Sequence, residues 1–162
     1  MTHAVHFFSL VATCLWGAAG HLSWIWTAQR GTSFWDYAAA VNVDKSGNIV
    51  VTGDATGSLD NNTFAGSRDV FLMKFNTSGH WHWTRQHGSS ASDNARALKS
   101  DDEGNIFLAG YTFGSLDQNA NVGSSDVFLS KFDNSGKLLW TKDTPGERWM
   151  ATLILESPIS SS

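Results

Sequence analysis

The sequence predicts an all-β chain: a β-propeller-like pair of four-stranded antiparallel blades in tandem, over residues 26–82 and 83–139, with partial strands on either flank. Three observations predict it. Trp26, Trp83 and Trp140 recur at one constant interval. Aligned without a gap, residues 26–82 and 83–139 agree at 28 of 57 positions, which marks a duplication. Short β-branched and aromatic runs are separated by Gly, Asn and Asp clusters, and no stretch shows apolar spacing near 3.6.

The pairs that carry the repeat are Gly31 and Gly88, Asp36 and Asp93, Asp44 and Asp101, Gly53 and Gly110. Ser58-Leu59-Asp60 returns as Ser115-Leu116-Asp117, and Asp69-Val70-Phe71-Leu72 as Asp126-Val127-Phe128-Leu129. Each unit reads as four strands. The first runs from Tyr37 to Val43. Asp44-Lys45-Ser46-Gly47-Asn48 follows as a turn, because Asp offers an Asx-type bond and Gly takes positive φ cheaply. The second strand is Ile49 to Thr52, rich in β-branched residues. Gly53 to Arg68 reads as a long polar loop. The third strand is Asp69 to Phe75, Asn76-Thr77-Ser78-Gly79 is a turn, and the fourth strand is His80 to Arg85. The second unit repeats these strands at 94–100, 105–109, 126–132 and 137–142.

Four strands per unit with periodic Trp and Gly is the signature of a propeller blade. The run from Asp36 to Gly53 resembles the core motif of the SBBP (seven-bladed β-propeller) repeat family. The Gly-Ser-Leu-Asp, Asp-Val-Phe-Leu-x-Lys-Phe and Trp-Thr-Arg-Gln-x-Gly elements are similar to that family too. The resemblance spans about residues 24–142 and weakens where Val43 becomes Ser100 and Thr52 becomes Ala109. It implies a secreted or surface-attached propeller, in a family mostly without assigned activity. Closed propellers have about 4–8 blades. Two units and flanking pieces do not close a ring, so the expectation is a part of a longer propeller, an assembly of chains, or an open stack with exposed edges.

The ends differ from the repeats. No Asp, Glu, Lys or Arg precedes Arg30. Val5 to Ala19 is mostly apolar and closes on Gly17-Ala18-Ala19, which reads as a signal peptide over residues 1–19. Residues 20–142 hold the repeats. Residues 143–162 form a degenerate partial repeat or tail, in which Met150 to Leu155 reads as a terminal cap. Membrane contact is expected only through the N-terminal segment if it is uncleaved. The single Cys14 excludes an internal disulfide and a Cys-based zinc site. A net charge of −4 argues against a nucleic-acid partner. Hydrophobic residues at 41% are enough for a packed core.

Asp36, Asp93, Asp44, Asp101, Asp69 and Asp126 recur in both units. As cation ligands they would be functional; as turn caps and acceptors of backbone N–H they would be structural. Recurrence favours the second role. Asp117, Asn119 and Asn121 place oxygens at i, i+2 and i+4, as a calcium loop does, but Val122 and Phe128 stand where such a loop needs Gly and Glu. His80 and His82 would share one strand face, as a metal pair could, with Trp81 and Trp83 on the other. Trp26, Trp83 and Trp140 read as blade-to-blade packing residues. Trp24, Trp35 and Trp149 lie outside that ladder; they would stack on sugars if exposed and fill irregular gaps if buried. Asn61 and Asn76 sit in Asn-x-Ser/Thr acceptor motifs.

No nucleophile elbow, phosphate-binding loop or His-Glu-x-x-His pattern occurs in the sequence. The expectation is a non-enzymatic, cofactor-free scaffold or binding module for protein or glycan. Two alternatives remain. Lys131 to Trp140 is similar to the tryptophan-docking stretch of quinoprotein (PQQ) dehydrogenases, which implies a calcium-held quinone in a complete ring. A structural segment that pairs through its edges is the other.

Overall fold

The computed structural model describes residues 9–11 and 25–143. Its strands are β1 (Ser9–Val11), β2 (Thr27–Gln29), β3 (Asp36–Val43), β4 (Ile49–Ala55), β5 (Asp69–Phe75), β6 (Trp81–His87), β7 (Asp93–Ser100), β8 (Ile106–Thr112), β9 (Asp126–Phe132) and β10 (Leu138–Asp143). No helix occurs among the described residues. Strands β3-β4-β5-β6 form one antiparallel sheet, blade 1, and β7-β8-β9-β10 form the second, blade 2. The starts of β3, β4 and β5 recur one repeat later in β7, β8 and β9. β1 pairs with β2. The remainder of residues 1–19, and the tail from 144, lie outside the described residues.

The two sheets face each other, and strand alternation makes the layer between them. In β4 and β5, Val50, Val70 and Leu72 point toward blade 2, where Ala95, Ile106, Leu108, Phe128 and Phe132 meet them. The intervening residues Val51, Phe71, Met73 and Phe75 point the other way into a separate cluster with Ala55 and Leu59. Every residue of β5 is buried as a result. In β9 only alternate residues are buried, because one face is uncovered. Backbone bonds stitch the sheets at one end: Ser67 N to Ala91 O at 3.1 Å and Asp93 N to Arg68 O at 2.8 Å.

The second strand is longer than the sequence predicts. It runs on through Gly53, Asp54 and Ala55, which pair with Phe71, Val70 and Asp69. Gly53 therefore does not open the loop. A β-bulge in β3 at Ala39 pushes the Tyr37 carbonyl against this point. A Cβ at Gly53 would lie 1.8 Å from Tyr37 O, and one at Gly110 would lie 2.1 Å from Asn94 O, beside the same bulge in β7. Glycine is required here for close backbone approach. The turns use it differently: Gly47, Gly79, Gly104 and Gly136 all have φ near +80°.

Gly53→Ala is expected to lower the unfolding free energy by about 3 kcal/mol, the upper end for overpacking. Gly123→Ala, whose new Cβ would meet nothing closer than 3.5 Å, should cost under about 0.5 kcal/mol. Urea unfolding checks both, and equally small losses would contradict the crowding at the bulge.

Candidate functional site

The repeated acids close turns and joints. Asp44 Oδ1 accepts from Ser46 N at 3.0 Å and Asn48 N at 2.8 Å, while Asn48 Nδ2 donates to Oδ2. Asp101 accepts from Asn105 N and Nδ2 in the same way. Asp36 accepts from the amide and hydroxyl of Thr32, and Asp93 from those of Ser89. Asp69 accepts from Ala65 N and Gly66 N, and Asp126 from Val122 N. Burial pushes the Asp36 and Asp69 carboxyls up despite these bonds; for Asp69 the nearby Asp93 adds to the push.

Asp44 goes the other way. Burial pushes it up, but the Asn48 and Lys74 side chains outweigh burial and hold its carboxyl below the ordinary range. Lys74 Nζ lies 2.9 Å from Asp44 Oδ2, with both side chains 5% exposed. The same ammonium crosses to Asn134 Oδ1 of blade 2. Hence the ion pair lies within blade 1, and its ammonium also ties that blade to blade 2.

The Ser-Leu-Asp elements build a second repeated device. Leu59 and Leu116 plug the core at 1% exposure. The next two residues take left-handed backbone: Asp60 and Asn61 at φ 48° and 62°, Asp117 and Gln118 at 49° and 67°. Asn62 and Asn119 close each turn by donating to the Leu carbonyl. Asp60 is thereby aimed at Thr84 and Arg30, and Asp117 at Thr141 and His87. Arg30 and His87 themselves hold the same place in successive repeats. His87 Nε2 lies 2.9 Å from Asp117 Oδ2, an ion-pair distance without hydrogen-bond alignment. Burial raises Asp117, but the His87 and Thr141 contacts outweigh it and lower its titration.

Beside the first of these devices lies an open cleft of about 380 Å³, lined by Asp60, Asn61, Asn62, Trp81, His82, Trp83, Thr84 and Arg85. Trp81 is 43% exposed. The Arg30 guanidinium sits 4.3 Å from its ring centroid, and its Nε1 donates to Thr84 Oγ1 at 3.0 Å. Blade 2 has Leu138 and Leu139 where blade 1 has Trp81 and His82. The expectation that Trp81 and Trp83 share a strand face fails. Lys74 pairs with Trp83 and Phe75 with Trp81, so His82 is the extra residue of a bulge. The bulge breaks the alternation. Trp83 packs toward blade 2, near Gly136, while Trp81 lies under Arg30. Sequence reasoning missed this cleft. Comparing the two repeats for where they differ, rather than where they agree, would have found it.

The remaining candidates are dispersed. Asn119 Nδ2 donates to Leu116 O, Asp117 O and Thr141 O, and Asn121 Nδ2 to Thr112 O. Together with the aim of Asp117 at His87, these bonds turn the three calcium-loop candidates to separate partners. Among the described residues no group of three or more His, Cys, Asp or Glu is placed to hold a metal. His82 is exposed, and His80 N closes the preceding turn on Asn76 Oδ1. Trp26 Nε1 donates to Thr77 O at 3.3 Å, and its ring crowds Gly79 as Trp83 crowds Gly136. Trp140 meets Phe107 edge-on at 6.4 Å. Trp35 is 56% exposed and stacks on Tyr37 with centroids 6.3 Å apart. Trp24 and Trp149 lie outside the described residues.

No family model matches the chain. It is 24% identical over 146 residues to an uncharacterized WD repeat-containing protein of Acanthamoeba polyphaga mimivirus. The match covers 73% of this chain and 10% of that protein, so the chain spans about a tenth of that relative's length. The similarity supports a β-propeller-type repeat, in agreement with the two four-stranded sheets.

Asp44→Asn is expected to cost about 3 kcal/mol at neutral pH, because Lys74 stays buried without its counter-charge. Since Asp44 titrates below its unfolded value of 3.8, this contribution is complete above about pH 4 and is lost as pH falls through the folded-state value. Unfolding of both proteins from pH 7 to pH 2 should show the difference shrinking in acid. A difference that stays constant would contradict the ion pair.

Proposed function

We propose that this chain is a non-enzymatic β-propeller repeat module of the SBBP type, secreted or surface-exposed, that binds a neutral sugar in the cleft beside Trp81. One observation carries the reading: blade 1 puts an exposed Trp81 and His82 on the rim of the cleft, where blade 2 has Leu138 and Leu139. A feature that packing requires would recur with the packing.

The chemistry suits an uncharged, polyhydroxylated ligand. Trp81 offers an exposed amphipathic ring, with Arg30 already on it. Asn61 and His82 are exposed polar groups at the rim. The charges around them are spent on protein: Arg30 pairs with Asp60, and Arg85 donates to Thr84 O and Ser135 O. A charged ligand would have to compete with these contacts.

A glycan array, followed by titration of the hits with Trp fluorescence, tests this. Trp81→Ala is expected to weaken binding about tenfold, as loss of one aromatic stacking contact does, while Phe113→Ala, an exposed ring outside the cleft, leaves it unchanged. No glycan bound, or equal binding by the Trp81→Ala protein, would overturn the reading. Retention of a quinone and calcium after dialysis would favour the quinoprotein alternative instead.

A further inference from the structure

We propose that Arg68 and Arg96, with the rings stacked against them, form a docking site for an acidic segment of a partner protein, whose carboxylate is gripped by the open edge of the Arg68 guanidinium. The site is separate from the Trp81 cleft and does not rest on a sugar binding there. Tyr37, Asp54, Val70 and His87 pair in a row across one end of blade 1, whereas Trp81 pairs with Phe75 toward the other.

Arg68 is held in place by the protein itself. Its Nη1 lies 3.2 Å from Asp54 Oδ2 and donates to Asn94 Oδ1 of blade 2 at 3.4 Å. Its guanidinium carbon lies 5.3 Å from the centroid of the Tyr37 ring. The Asp54 side chain is 5% exposed and that of Arg68 35%. Both polar contacts fall on Nη1. Among the described residues Nε and Nη2 make no hydrogen bond, and these two groups form the edge that takes a carboxylate in two parallel bonds. An arginine already fixed by a ring and a buried acid loses little freedom on binding.

Charge calls for that carboxylate. Arg96 is the extra residue of the bulge in β7, where blade 1 has Ala39. Its guanidinium lies 4.8 Å from the Tyr111 ring centroid and donates to the Tyr111 hydroxyl at 2.8 Å. Like Arg68, it acts electrostatically on Asp54, so two cations share one buried acid. The other acids at this end are spent elsewhere: Asp36 on Thr32, Asp69 on Ala65 and Gly66, Asp93 on Ser89. A second carboxylate balances the pair.

The rings favour a polypeptide as its carrier. On blade 1 the Tyr37 ring stacks with Trp35, and on blade 2 Tyr111 meets Phe113 edge-on at 5.6 Å. Tyr37 and Phe113 are 46% and 49% exposed. Exposed Trp, Tyr and Arg are the side chains that carry most of the energy of protein interfaces. Rings on both blades around a cationic centre match an acidic residue flanked by apolar ones. The other repeat has Asn94, Ser125, Ala39 and Asp54 at the places of Tyr37, Arg68, Arg96 and Tyr111, so the packing common to both blades does not require them. Two arginines on a chain of net charge −4 give little hold on a phosphate backbone.

An array of short peptides with a central Glu or Asp between aromatic and aliphatic residues, each beside its Gln or Asn counterpart, tests this with the full chain. Hits are titrated by fluorescence anisotropy. The acidic peptides are expected to bind, and their amide counterparts to bind at least about tenfold more weakly. Arg68→Lys keeps a cation beside Asp54 but loses the two-bond edge, and should weaken binding about tenfold. Arg96→Gln changes an exposed side chain, weakens binding severalfold, and covers the case in which Arg68→Lys loosens the fold. Lys45→Gln, an exposed cation in the turn between β3 and β4, and Trp81→Ala leave binding unchanged. Acidic and amide peptides that bind alike, or not at all, overturn the proposal. So does parental affinity in both arginine variants. Tighter binding of oligouridylate or of oligogalacturonate than of any peptide also overturns it, and would assign the edge to a nucleic acid or an acidic sugar.

Discussion

The apolar layer between the two sheets is the constraint on which the other features depend. Val50, Val70 and Leu72 of blade 1 and Ile106, Leu108, Phe128 and Phe132 of blade 2 are nearly or wholly removed from water there. Burying one such side chain is worth about 1.5–3 kcal/mol. Neither sheet can supply this burial alone, because each β-strand presents alternate residues to opposite sides. The layer also fixes the distance at which Lys74 can serve both Asp44 and Asn134, and at which Ser67 N can donate to Ala91 O and Asp93 N to Arg68 O across the joint. The polar contacts are therefore arranged by the packing and add selectivity of register to it.

The buried acids sort by what surrounds them. Burial raises Asp44 as it does the others, but a full ammonium and an amide within reach outweigh it and hold the carboxyl ionised. Asp36 and Asp69 have hydroxyl and amide donors but no cation contact, and burial raises them. Asp54 is also raised by burial, although Arg68 and Arg96 oppose it. Acid therefore acts in two directions on this fold. It removes the Asp44 contribution and relieves the cost of keeping the raised carboxyls charged.

Much of this fold was legible in the sequence because duplication shows twice whatever packing needs twice. The strand positions, the glycine turns at Gly47 and Gly79 and the repeated aspartates all follow from the register of the repeat. Two things were not legible. The bulges at Ala39 and His82 insert a residue without any local composition cue, so Gly53 read as the start of a loop and Trp81 seemed to share a face with Trp83. The contact of Asp60 with Arg30 joins distant parts of the chain, beyond the reach of any local pattern. The cleft depends on both and became visible only in three dimensions.

Native-state hydrogen exchange tests most directly whether the layer between the blades holds the structure together. If it does, the amides of β4, β5, β8 and β9 open with one common free energy, and Leu108→Ala lowers that value in both sheets alike. Loss of protection in β8 and β9 while β4 and β5 keep theirs would contradict the account, because it would make each blade a separate folding unit.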